Sequence, residues 1–110
     1  MKSITPDTMS AAINSQNVVM LDVYANWCQP CQRMMPLLEE ISNEYSEEAG
    51  LVKMELDENK EFLQNTLNVQ KVPTFIIYKN GLEQKRFEGI TRMQVLRDTL
   101  DEVIHDTTNN

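Results

Sequence analysis

Cys28 and Cys31 are the only two cysteines of the chain, and they stand three positions apart within Trp27-Cys28-Gln29-Pro30-Cys31. Side chains at i and i+3 meet across one helical turn, inside the Cα separation that a disulfide spans. The pair is a candidate for thiol–disulfide exchange, and the same spacing also supplies half of many zinc sites. A closed zinc site takes four ligands, and His105 is the only histidine that is available to complete one. His105 instead belongs near the end of the last expected helix, facing solvent at a position that favours a basic side chain.

Position within the local structure assigns the two sulfurs different roles. Cys28 falls at or beside the N-cap of an expected helix, where backbone N–H groups and the helix dipole stabilise a thiolate, so it is read as the attacking sulfur. Cys31 lies one turn inside, less exposed and less ionised, which suits the resolution of a mixed disulfide. Pro30 has a backbone angle compatible with the first helical turn and brings no N–H to be left unpaired there. Asp22 interrupts an apolar run, and burial there raises a carboxyl pKa into the range useful for taking the Cys31 proton. The alternative is a carboxylate turned to solvent or paired with Lys53 for structure alone. Lys53 lies on the expected neighbouring strand, either tuning Asp22 or snorkelling at the surface. Val72-Pro73-Thr74 places a proline directly before a core strand, and from these residues alone a trans bond is expected.

The elements around these residues follow from periodicity and capping. Thr5-Pro6 opens a first helix over about residues 6–15. Val18–Tyr24 is a nearly unbroken apolar run, the signature of a central strand covered on both faces. Met34, Leu37, Leu38, Ile41 and Tyr45 give the second helix an apolar stripe, and its end is expected near Gly50. Leu51–Leu56 reads as a second core strand, and Asp57-Glu58-Asn59 as the caps of a short helix carrying Phe62, Leu63 and Leu67. Thr74–Tyr78 is β-branched and aromatic, and Asn80-Gly81 behind it is a strong hairpin signal, so the last two strands are antiparallel. Thr91-Arg92-Met93-Gln94 reads as a capping box before a final helix, buried along Met93, Leu96, Leu100, Val103 and Ile104, with a frayed tail from Asp106. Met9, Met20, Met34, Met54 and Met93 read as adaptable core filling. The order predicts an α/β fold: a central mixed sheet, parallel βαβ units followed by a C-terminal hairpin, flanked by helices on both faces.

A length of 110 residues with 41% apolar content suits a single domain over 1–110. Ten basic against 17 acidic residues give a net charge of -7, which opposes binding to nucleic acid or to anionic membranes. Glu39, Glu40, Glu44, Glu47 and Glu48 read as a solvated helix face. No segment approaches the roughly 18 consecutive apolar residues of a membrane span, and nothing at the N-terminus directs export. A soluble, cytoplasmic monomer is expected, without bound metal.

Asp22, Ala25, Trp27-Cys28, Pro30-Cys31, Pro36, Lys53, Asp57, Pro73-Thr74, Lys79-Asn80-Gly81 and Gly89 stand in an order and spacing that resembles the thioredoxin family across essentially the full chain. The resemblance implies a cis bond between Val72 and Pro73 packed against the disulfide, and a buried Asp22 that shuttles the Cys31 proton with Lys53 close by. It implies a flat apolar surface for substrate proteins built by Trp27, Gln29, Pro30, Val72, Pro73, Gly89 and Ile90, with the Val72 backbone pairing to the substrate as an added strand. The implied activity is reduction of disulfide-containing protein substrates, recycled by an NADPH-dependent thioredoxin reductase, with no bound cofactor. The alternatives are a specialised oxidase or isomerase and a docking module in which the dithiol is incidental. The main departure is Gln29, where the family nearly always has Gly, and Gln32 removes a positive charge where Lys is frequent. An added donor at Gln29 is expected to stabilise the Cys28 thiolate and make the disulfide more oxidising.

Overall fold

The computed structural model describes residues 1–106. Five strands form one sheet in the order β1-β3-β2-β4-β5, with β1 (Lys2–Ser3), β2 (Val18–Tyr24), β3 (Gly50–Glu55), β4 (Thr74–Lys79) and β5 (Leu82–Glu88). β1, β3 and β2 run parallel, and β4 lies antiparallel to both β2 and β5. β1 is a two-residue edge strand that no hydrophobic pattern announces; it forms because Lys2 and Ser3 find the open edge of β3 at Val52 and Lys53. The mixed sheet is the expected one, and β2 occupies its centre, buried on both faces.

Alternation along the strands divides the interior into two cores. On one face Val18, Met20, Leu51, Phe75 and Ile77 pack against Met34, Leu38 and Ile41 of α2 (Gln29–Glu44) and Leu96, Leu100 and Val103 of α3 (Met93–His105). On the other, Val19, Leu21, Val23, Val52, Met54 and Ile76 pack against Met9 of α1 (Pro6–Ile13) and against Leu63. Leu37, expected on the buried stripe of α2, is 44% exposed. The sheet is reached by the 34, 38, 41 row, and Leu37 falls off it. The helix also stops at Glu44 rather than near Gly50: the backbone leaves helical geometry at Tyr45, with φ of -102° and ψ of 12°, and Tyr45 O accepts the N–H groups of Glu48 and Ala49 in the turn that follows.

Three local expectations change. The single short helix after β3 is instead a 3₁₀ turn at Asp57–Asn59 and a π-helical turn at Phe62–Thr66. Its start is capped from inside the strand: Glu58 N–H donates to Glu55 Oε1 at 2.9 Å and Asn59 Nδ2 to Glu55 O at 2.8 Å. The capping box at Thr91 does not form, because α3 begins one residue later with Arg92 as N-cap, and the Thr91 hydroxyl donates back to Gly89 O at 3.0 Å. The first helix ends at Ile13, two residues early, where Asn14 and Ser15 side chains donate to Ser10 O and Ala12 O. The Asn80-Gly81 hairpin is as expected, with φ of 53° and 81° at the two turn residues, the type I′ pattern. A Cβ on Gly81 would lie 2.6 Å from Asn14 Oδ1. The expected frayed tail falls mainly on 107–110, outside the described residues. Among the described residues no helix is long and apolar enough to cross a membrane.

Candidate redox-active site

β2 delivers the chain to the cysteines at its carboxyl end, where parallel α/β sheets present chemistry. Ala25 O accepts the N–H of Cys28 at 3.1 Å and Nε2 of Gln32 at 3.2 Å, closing the turn between strand and helix. Cys28 is the N-cap of α2 in an extended conformation, and its Sγ accepts the Cys31 N–H at 3.3 Å. An N-cap side chain that takes such a bond satisfies one of the helix's four unpaired donors, and in the reduced state the same donor faces a thiolate. The two residues form a disulfide with their Cα atoms 5.3 Å apart. Both are buried with Ala25 in a small cluster against which Tyr24, Leu56 and Val72 pack.

Asp22 lies on β2, the strand that leads into the motif. It shares with Val18 and Met20 the sheet face that α2 covers, and its register partners are Lys53 on β3 and Phe75 on β4. It is 2% exposed, so it is not turned to solvent, and its Oδ2 meets no hydrogen-bond donor among the described residues. Loss of hydration pushes its pKa up to about 7, a rise that the Lys53 charge partly opposes. Lys53 is half-buried, with Nζ 5.6 Å from the centre of the Tyr24 ring, a cation–π contact that holds the ammonium near the acid.

The remaining candidate residues lie on three segments, of which Val72 packs against the cysteine cluster. Trp27 is 64% exposed and its Nε1 donates to Asp57 Oδ2 at 3.0 Å. Gln29 is exposed and Pro30 half-buried in the first turn of α2. The Val72–Pro73 bond is cis, against the trans form that the residues alone suggest and as the resemblance implies; the fold around the bond decides the isomer, not the local preference. Gly89, with φ of 92°, donates its N–H to Pro73 O at 2.7 Å, which ties the end of β5 to the proline, and Ile90 beside it is 73% exposed. Asp57 as the partner of Trp27, and Gln32 as the clamp on Ala25 O, have no signal in sequence spacing, since each bond spans separate elements or a turn. Among the described residues no group of three or more His, Cys, Asp or Glu side chains is arranged to hold a metal ion.

A mixed sheet flanked by helices, with a Cys-x-x-Cys disulfide opening the helix after a central strand, defines a class of dithiol–disulfide proteins. A family profile described as Thioredoxin matches residues 1–102, and the chain belongs to the thioredoxin family. Thioredoxin from Listeria monocytogenes is 36% identical over 104 residues, covering 94% of this chain and 95% of that protein. Chloroplastic thioredoxin Y of Oryza sativa subsp. japonica is 40% identical over 75 residues, covering 68% of this chain and 44% of that protein. The chain thus spans less than half the length of that plant relative. Among solved structures, a mutant thioredoxin from Halobacterium salinarum NRC-1 superposes with a TM-score of 0.87 at 25% identity, over 96% of this chain and 92% of that one.

Proposed function

We propose that this protein is a thiol–disulfide oxidoreductase that reduces protein disulfides through Cys28 and Cys31. The observation that carries the reading is the disulfide at the start of α2 with Cys28 as N-cap, accepting the Cys31 N–H. In the reduced protein the Cys28 thiolate attacks one sulfur of a substrate disulfide, forming a mixed disulfide and releasing the other substrate sulfur as a thiolate. Cys31 gives its proton to Asp22 and attacks Cys28 Sγ. The second substrate thiolate leaves, the internal disulfide forms, and two electrons have passed to the substrate. Lys53 tunes the acid by its charge.

Trp27, Gln29, Pro30, Val72, Pro73, Gly89 and Ile90 would receive the substrate chain, with the exposed Trp27 ring and Ile90 side chain as apolar contacts and the Val72 backbone as the pairing edge. An NADPH-dependent thioredoxin reductase is the expected source of electrons, and the working state is a monomer. A dithiol that must return to its reduced form fits a reducing compartment, the cytoplasm being the simplest, although the rice relative is chloroplastic. The test is insulin reduction with dithiothreitol as electron source. Cys28→Ser is expected to abolish catalysis, and Cys31→Ser to accumulate a mixed disulfide at Cys28. Full activity in Cys28→Ser would overturn the reading in favour of an incidental dithiol.

A further inference from the structure

The loop that brings Val72 and Pro73 to the disulfide leaves the π-helical turn after Thr66 and enters β4 at Thr74. Its exit is held by the Gly89 N–H on Pro73 O and by Thr74 Oγ1, which donates to Lys71 O at 2.6 Å. Its entrance is held by different means. Asn68 reverses the chain with φ of 56°, and the buried Val69 donates its N–H back to Leu63 O at 2.8 Å. The last carbonyls of a helical turn have no partner within it. Here those of Leu67 and Asn68 accept from Arg86 Nη1, at 2.8 and 3.3 Å.

Arg86 reaches them from β5, on a side chain whose plane is fixed from behind. Its Nε and Nη2 donate to the two oxygens of Glu83 at 2.9 and 2.8 Å, a bidentate pair. In a regular strand, residues i and i+3 point to opposite faces. β5 escapes this because its register against β4 slips: Ile77 pairs with Lys85 but Tyr78 with Glu83, leaving Gln84 as an extra residue, a β-bulge. Glu83 therefore stands opposite Tyr78 and Arg86 opposite Ile76, and both partners belong to the core on the α1 side of the sheet. Leu67 and Val69 of the loop pack into that same core.

We propose that Arg86, set by Glu83 across the bulge, is a positioning residue for protein substrates: it fixes the path of residues 67–73 and so the placement of the Val72 edge beside Cys28. The inference rests on the substrate-pairing role given to Val72 above. A protein substrate that pairs with Val72 depends on the loop, whereas a small disulfide meets only the sulfurs.

The variants are Arg86→Ala, Arg86→Lys and Glu83→Ala, assayed with insulin and with a small aromatic disulfide. Arg86→Ala is expected to raise KM for insulin about fivefold with kcat within about twofold, and to leave the small disulfide's rate and the disulfide potential unchanged. Arg86→Lys keeps a donor for the carbonyls and is expected to recover part of the loss. Amide hydrogen exchange in Arg86→Ala should rise over residues 63–72 and not elsewhere. Parallel losses for both substrates, or an unchanged insulin KM, would overturn the proposal. Should Arg86→Ala fail to fold, Glu83→Ala, which keeps the carbonyl bonds, decides: a KM for insulin raised about twofold supports the proposal and a flat one overturns it. If the unaltered protein reduces no protein disulfide, the oxidoreductase reading itself falls, and exchange over 63–72 still reports whether Arg86 holds the loop.

Discussion

Asp22 and Glu55 are both carboxylates buried in the sheet, at 2% and 6% exposure, on neighbouring strands and on the same face by the alternation of β2 and β3. Each has one oxygen without a donor among the described residues. They differ in what the other oxygen meets. Glu55 Oε1 accepts the Glu58 N–H and closes the 3₁₀ turn, so its carboxylate serves as a cap supplied from inside a strand. Asp22 stands at the start of the site with only the Lys53 charge to offset its loss of hydration, and its proton affinity rises to that of a group that exchanges protons near neutral pH. Two buried carboxylates within one pair of strands thus differ in the donor each meets: a backbone N–H at Glu55 and none at Asp22 among the described residues.

The largest expected effect tests Asp22. Its folded pKa of about 7 stands above the ordinary value of 3.8, so the native state holds a proton that the unfolded chain has already released. Stability attributed to the group is therefore fully present below pH 3.8 and is lost as pH rises toward 7, by roughly 4 kcal/mol in total. Asp22→Asn, which resembles the protonated acid, is expected to match the parent protein near pH 4 and to exceed it by roughly that amount at pH 8. Urea unfolding at several pH values measures it, and parallel stability curves for the two proteins would break the contrast. Glu55 is expected to respond to geometry instead. Glu55→Ala removes the acceptor for Glu58 N–H and should cost about 1–2 kcal/mol, whereas Glu55→Gln retains an acceptor and should stay within about 0.5 kcal/mol. Equal losses in both would mean that the cap is not what Glu55 contributes.

How much of this is legible in the sequence depends on whether a residue's role is local. β2 reads directly because six successive residues, Val18 to Val23, are buried, and the hairpin reads because Asn80 and Gly81 can adopt a backbone that few residues tolerate. Cys28 as N-cap is legible because the cap is part of its own helix. Glu55 is different: alternation along β3 makes it look like an outward-facing residue, and only the return of the chain at Glu58 shows what it holds. The π-helical turn and the bulge at Gln84 are also hidden, since each adds one residue to a regular pattern for reasons that lie in the strand or loop it packs against. Leu37 fails in the opposite sense, because helical periodicity marks a wide apolar stripe and the sheet takes up only part of it.

The smallest expected effect lies at the surface, where partners are scarcest. Gln29 is exposed and its side chain makes no hydrogen bond among the described residues in the disulfide form, where Cys28 carries no charge for its amide to meet. Its contribution is therefore confined to the reduced state, in which the amide has a thiolate one residue away. Stabilising the thiolate favours the dithiol and makes the disulfide more oxidising, so Gln29→Gly should shift the potential to more negative values. An exposed donor contributes on the order of 0.5 kcal/mol, which corresponds to about 10 mV for this two-electron couple. Equilibration of both proteins against glutathione buffers resolves a shift of that size. An unchanged or less negative potential in the Gly form would show that the solvated amide, unlike the buried carboxylate of Asp22, has no purchase on the chemistry of the pair.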